Sequence, residues 1–137
     1  MNDPAHPSVL VVEDDTVLRQ LVSEQIRGFG YEVLQAGAAA DALAIADGRC
    51  LEAGRCRLDV LLADLQLPGD MDGLALAREI RIRCPGIGVL FTTGAAPDQE
   101  PAQAVPGARL LIKPFRRAAL AEHLRQLVAG LPGGAGG

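Results

Sequence analysis

Five short apolar runs, separated by helix-patterned or loop segments, constrain this chain more than any other feature. They are "SVLVVE" at 8–13, "YEVLQ" at 31–35, "LDVLLAD" at 58–64, "IGVLFTT" at 87–93 and "ARLLIK" at 108–113. An unbroken run such as Val9 to Val12 has no polar face, which is the pattern of a strand covered on both sides in a parallel sheet. "YEVLQ" alternates and reads as a second strand. Between the first two runs, Val17, Leu18, Leu21, Val22 and Ile26 recur at helical spacing until "GFG" closes the helix. An Ala- and Leu-rich helix is expected from Asp41, weakened in its second half by Gly48. A third starts at Gly73, capped by Asp72, with Leu74, Ala77 and Ile80 on one face. A last one runs from near Arg116 and carries Leu120, Leu124, Leu127 and Val128. The stretch 95–107 holds three prolines, so any helix there is short or distorted.

Strands alternating with helices specify an α/β domain, doubly wound around a parallel sheet. The chain has 137 residues, which fits one such domain; 1–7 is expected to be a flexible arm, 8–130 the domain and 131–137 a flexible tail. With aromatic residues at 3%, the core has to be built from Leu, Val, Ile and Ala. The net charge of −4 offers no electrostatic footprint for nucleic acid or an anionic membrane. No apolar run approaches the length of a membrane span, and "MNDPAHPS" lacks the layout of a secretory signal, so a cytoplasmic protein is expected. Cys50, Cys56 and Cys84 lack metal-site spacing and are expected to be reduced, structural thiols. His6 and His123 are isolated and do not look like ligands.

Right-handed crossovers bring every strand's C-terminal end to one edge of the sheet, the edge where ligands bind in such folds. The first run ends in Glu13, Asp14 and Asp15, the third in Asp64, the fourth in Thr92 and Thr93, and the fifth in Lys113. Two carboxylates about 4 Å apart repel by roughly 4 kcal/mol at an effective dielectric near 20, so the acidic cluster needs a cation or water to offset it. If the first and third strands are neighbours, Asp64 faces that cluster across a gap suited to one small cation. Oxygen ligands alone favour a hard ion such as Mg²⁺. Such an assembly suits phosphoryl transfer: a carboxylate nucleophile, with Mg²⁺, the Lys113 ammonium and the Thr93 hydroxyl each holding one phosphoryl oxygen. Taken singly, each residue has a plainer explanation, and Asp15 in particular reads as a helix N-cap.

The ordered set "VLVVEDD", "GYEVLQAG", "LLADLQLPGDMDG", "VLFTTG" and "IKPF" resembles the receiver domain of two-component response regulators, from about Ser8 to Val128. The resemblance implies a flavodoxin-like sheet of five parallel strands in the order 2-1-3-4-5. It makes Asp64 the phospho-acceptor, Asp14 a direct Mg²⁺ ligand, Glu13 a ligand through water and Gln66 a ligand through its backbone carbonyl. It makes Thr93 the switch hydroxyl and Lys113 the phosphate-pairing lysine, with a cis bond to Pro114. The family often places Tyr or Phe three residues before the lysine; here the residue is Leu110. The "LPGDMDG" loop looks one residue longer than the family's common form, and the connection from Asp41 to Leu58 runs long.

The expected function is a phosphorylation-controlled switch without conventional enzyme activity, a phospho-acceptor that assists only its own phosphoryl transfer and dephosphorylation. Its donor would be a sensor histidine kinase or histidine phosphotransfer protein. With no DNA-binding module after the last helix, its output would pass through contacts with a downstream protein. Starting at Met1 favours a stand-alone receiver over one cut from a hybrid kinase. Two alternatives are a pseudo-receiver that binds partners without phosphorylation and a haloacid-dehalogenase-type phosphatase using Asp15 as its second acid. In the latter, Glu13 stands where the nucleophilic Asp should be.

Overall fold

The computed structural model describes residues 6–49, 56–95 and 101–131. In chain order the elements are β1 (Ser8–Val12), α1 (Thr16–Gly28), β2 (Glu32–Ala36), α2 (Ala39–Arg49), β3 (Val60–Asp64), α3 (Gly73–Arg83), β4 (Gly88–Thr93), α4 (Pro101–Ala104), β5 (Arg109–Ile112) and α5 (Arg117–Ala129). The strands form one sheet in the order β2-β1-β3-β4-β5, with every pairing parallel.

The unbroken apolar runs are explained by two cores, one on each face. Because successive side chains on a strand point to opposite faces, Leu10, Val12, Leu61, Ala63, Val89 and Phe91 go one way. They pack under Ala42 and Ala46 of α2 and Leu76, Ala77 and Ile80 of α3. Val9, Val11, Val60, Leu62, Leu90 and Leu111 go the other way, beneath Val22 and Ile26 of α1 and Leu120 and Leu124 of α5. Each fully buried aliphatic side chain contributes about 1.5–3 kcal/mol, so two continuous layers of mostly Leu, Val, Ile and Ala suffice, with Phe91 added to them as a fully buried aromatic ring.

The α1 face is narrower than its sequence pattern suggests. Val22 and Ile26 are buried and Leu18 is half-buried, but Val17 and Leu21 are 76% and 51% exposed. Leu18, Val22 and Ile26 form one i, i+4 row, and burial of α1 is confined to that row and Ser23 beside it. Asp15 caps α1, its Oδ1 accepting from the Leu18 amide at 3.1 Å. Asp72 caps α3 in the same way, accepting from Ala75 at 2.8 Å. The proline-rich stretch yields a fourth helix of four residues among those described. Helix α2 begins at Ala39, two residues earlier than expected, and the part expected beyond Arg49 lies outside the described residues. Of the expected N-terminal arm, His6 and Pro7 are tied down: His6 Nδ1 bonds to the Gly30 carbonyl at 3.1 Å and the Pro7 carbonyl accepts from Glu32 N. The rest of that arm and residues 132–137 lie outside the described residues.

One expectation is overturned. Cys56 and Cys84 are not free thiols but are joined as a disulfide, with their Cα atoms 5.4 Å apart. The C-terminus of α3 and the approach to β3 meet at the N-terminal edge of the sheet, so topology pairs two residues that lie 28 apart in sequence. Cys50 lies outside the described residues. No helix among the described residues is long and apolar enough to cross a membrane.

Candidate functional site

Parallel register lines up the strand tips. Val12 pairs with Ala63, Asp64 with Thr92, and Thr93 with Ile112, so the residues that end β1, β3 and β4 and follow β5 share one edge. Glu13 and Asp64 are buried there, at 4% and 6% exposure. Two carboxylates withdrawn from water side by side require compensation, and Lys113 supplies it. Its ammonium donates to Glu13 Oε1 at 2.7 Å and to Asp64 Oδ2 at 2.6 Å. The second oxygen of each acid is held by backbone: Glu13 Oε2 accepts from Asp15 N at 3.0 Å, and Asp64 Oδ1 from Gln66 N at 2.9 Å. The Lys113–Pro114 peptide bond is cis.

Burial pushes the Glu13 carboxyl above its ordinary pKa of 4.5, against the pull of Lys113 and the Asp15 amide. For Lys113, burial works against the charged form, but hydrogen bonds and charge attraction from Asp64 and Glu13 outweigh it and hold the ammonium above its ordinary range. Lys113 is thus the resident counter-charge of the pocket. Asp14 is exposed at the rim, and one oxygen from each of Glu13, Asp14 and Asp64 falls within 4.8 Å of the others. Three carboxylates with no sulfur or imidazole form a donor set for one hard dication.

Not every expected residue converges. Thr93 is buried at the same edge, but its hydroxyl donates to the Ala95 carbonyl at 2.9 Å, toward the β4–α4 loop. Gln66 reaches Asp64 through its amide, and its side chain is exposed. Leu110, at the position where the family often has an aromatic ring, packs half-buried against the α2/α3 core. Asp15 is engaged in capping α1.

Two contributors were missed by sequence reasoning. Arg19 donates to the Glu13 backbone carbonyl at 2.7 Å and pins the acidic segment from α1. Its signal was its place one helical turn after the Asp15 cap. Gly73 opens α3 directly against the acceptor strand: a Cβ there would lie 2.1 Å from the Asp64 carbonyl oxygen, and its amide donates to Leu65 O at 3.0 Å. Only glycine permits that approach. The loop before it turns through Gly69 at φ +94°.

The family model described as the response regulator receiver domain matches residues 9–125. Among curated proteins, the transcriptional regulatory protein AruR of Pseudomonas aeruginosa is 42% identical over 88 residues, which is 64% of this chain and 34% of AruR. The probable transcriptional regulatory protein TcrX of Mycobacterium tuberculosis is 34% identical over 123 residues, 88% of this chain and 49% of TcrX. The chain therefore spans half or less of the length of these relatives. Among solved structures, the chemotaxis protein CheY4 of Vibrio cholerae superimposes with a TM-score of 0.77 at 28% identity, covering 90% of this chain and 99% of that one. The receiver domain of the hybrid histidine kinase CckA gives 0.72 at 30% identity, over 88% and 97% of the two chains. Strand order, buried acids, the lysine that bridges them and the sequence match over nearly the whole described chain all lead to one assignment: this chain belongs to the response regulator receiver domain family.

Proposed function

We propose that this chain is a phosphorylation-activated switch in which Asp64 accepts a phosphoryl group from a histidine kinase or histidine phosphotransfer protein. The observation that carries the reading is the Lys113 ammonium bonded at once to Asp64 and Glu13, with Asp14 within reach of both. The carboxylate set fits Mg²⁺, held by Glu13, Asp14 and Asp64 with the Gln66 carbonyl, and the ion would supply charge neutralisation for the transferring group. The chain's own residues do the rest. An Asp64 oxygen attacks phosphorus and forms the new P–O bond as the donor's P–N bond breaks. Lys113, already between the two acids, pairs with a phosphoryl oxygen, and the amide of Gln66 keeps Asp64 oriented for attack. Thr93 is the switch: to meet the phosphoryl group its hydroxyl gives up the Ala95 carbonyl, which draws on the β4–α4 loop.

The unit we take to carry this activity runs over 8–130, acts in the cytoplasm and signals through contacts with a downstream protein. Asp15, committed to the α1 cap, is not free to be the second acid of a phosphatase.

The test is phosphorylation of the purified chain by a small-molecule phosphodonor with Mg²⁺, followed by intact mass. An acid-stable, base-labile gain of one phosphoryl group is expected in the native chain, absent after chelation and absent in Asp64→Asn. A gain that persists in Asp64→Asn would show that the acceptor lies elsewhere.

A further inference from the structure

The disulfide closes a ring of chain around the acceptor. Cys56 precedes β3, and Cys84 is the C-cap residue of α3, so the bridged segment contains β3, Asp64, the β3–α3 loop and the whole of α3. The two ends of α3 are thereby fixed in different ways. Its first residue, Gly73, abuts the Asp64 carbonyl with no room for a methyl group. Its last turn is held by the Cys84 sulfur and by two arginines: Arg83 Nε on Asp47 Oδ1 at 2.6 Å, and Arg81 on the carbonyls of Ile87 and Pro106. An eleven-residue helix between these ends moves as a unit, so slack at one end reaches the other.

We propose that the Cys56–Cys84 bond is a thiol–disulfide latch on α3, opened by a dithiol reductant, that sets how firmly the acceptor end of the site is held. It rests on the reading of Asp64 as phospho-acceptor. The two sulfurs differ in access: Cys84 is 1% exposed within the α2/α3 core, whereas Cys56 is half-buried at its margin. A reductant thiolate therefore attacks the Cys56 sulfur; the S–S bond breaks, and Cys84 leaves as a thiolate that takes up a proton. The second thiol of the reductant then attacks the mixed disulfide, releasing Cys56 as a thiol and leaving the reductant as its own disulfide. Two electrons and two protons pass to the receiver. Disulfides in reducing compartments of most organisms are transient and redox-sensing, and a domain with two full apolar layers does not need a staple to fold. Reduction removes the covalent tie and leaves α3 held at its far end by the Arg83 and Arg81 contacts, so α3 loosens and the preorganisation of Asp64 falls.

The experiment compares oxidised and dithiol-reduced full chain, with redox state read by alkylation and intact mass. Calorimetry measures the binding of Mg²⁺ and of beryllofluoride, a phosphoryl mimic, and hydrogen exchange follows α3. Reduction should weaken beryllofluoride binding about fivefold or more and speed exchange in α3. The Cys56→Ala/Cys84→Ala variant should match the reduced form and ignore the dithiol; if it folds poorly, Cys56→Ala alone, at the margin of the core, serves the same purpose. Equal binding in both redox forms, or free thiols at both positions under oxidising conditions, overturns the latch while leaving the acceptor reading standing. Absence of binding in both forms overturns the acceptor reading and the latch with it.

Discussion

Replacing Lys113 by methionine keeps the side-chain stem and removes the charge that sits 2.6 Å from Asp64 and 2.7 Å from Glu13. Breaking a fully buried ion pair by deleting one partner costs about 3–5 kcal/mol, because the surviving charge is stranded. Here two carboxylates are stranded, but the Lys113 side chain is 23% exposed and Asp14 opens the pocket to solvent, so the cost is discounted to about 2 kcal/mol. For a domain of this size that is a fall in Tm of about 8 °C. The stranded carboxylates are also the expected Mg²⁺ ligands, and a dication restores the charge balance the ammonium maintained. Lys113→Met should therefore bind Mg²⁺ more tightly than the parent, roughly tenfold or more, and Mg²⁺ should recover most of its lost Tm. Titration calorimetry and thermal denaturation with and without Mg²⁺ measure both effects. An unchanged or weaker Mg²⁺ affinity in Lys113→Met would refute the idea that ammonium and metal answer to the same two acids.

Gly73→Ala drives a methyl group to 2.1 Å from the Asp64 carbonyl; denaturant unfolding should show a loss of roughly 3 kcal/mol, and a loss under about 1 kcal/mol would mean α3 has slack at this end. Thr93→Val removes the hydrogen bond to Ala95; it should destabilise by about 1 kcal/mol and still accept a phosphoryl group, but phosphorylation should no longer shift the NMR resonances of the β4–α4 loop. His123, whose Nδ1 accepts from Arg109 Nε at 2.7 Å, is held below the ordinary 6.5, first by burial and then by the Arg109 charge, with Glu122 opposing. A lowered histidine pKa means stability that is fully present above 6.5 and is lost as pH falls through the folded value. NMR titration of the ring should give a midpoint below 6.5 that rises in Arg109→Ala, and a native midpoint at or above 6.5 would contradict the pairing.

Features that depend on local pattern were legible in the sequence. The apolar runs marked β1, β3 and β4 because a two-sided parallel sheet leaves the middle of each strand apolar, as in Val9–Val12, Val60–Ala63 and Val89–Phe91, and Asp15 and Asp72 announced their caps. That Glu13, Asp14, Asp64 and Lys113 stand at one edge followed from a parallel sheet, whose strands share a C-terminal edge, while the adjacency of β1 and β3 that brings Asp64 to the acids was implied only by the family resemblance. What stayed hidden depended on tertiary distance. Nothing in a spacing of 28 residues says that Cys56 and Cys84 meet; only the return of α3 to the start of β3 does. Periodicity marked Val17 and Leu21 as readily as Val22 and Ile26, and the sheet's reach decided between the two rows. Thr93 was placed at the correct edge, while its present bond to Ala95 depends on loop conformation.

Reductive trapping tests the central claim most directly. Borohydride converts an aspartyl phosphate to homoserine, so treatment of the phosphodonor-exposed chain, followed by peptide mass mapping, identifies which acid took the group. Homoserine at position 64, formed only with Mg²⁺ present, is the predicted result. Conversion at Asp14 or another acid, or none at all under conditions where Mg²⁺ is bound, would contradict the account.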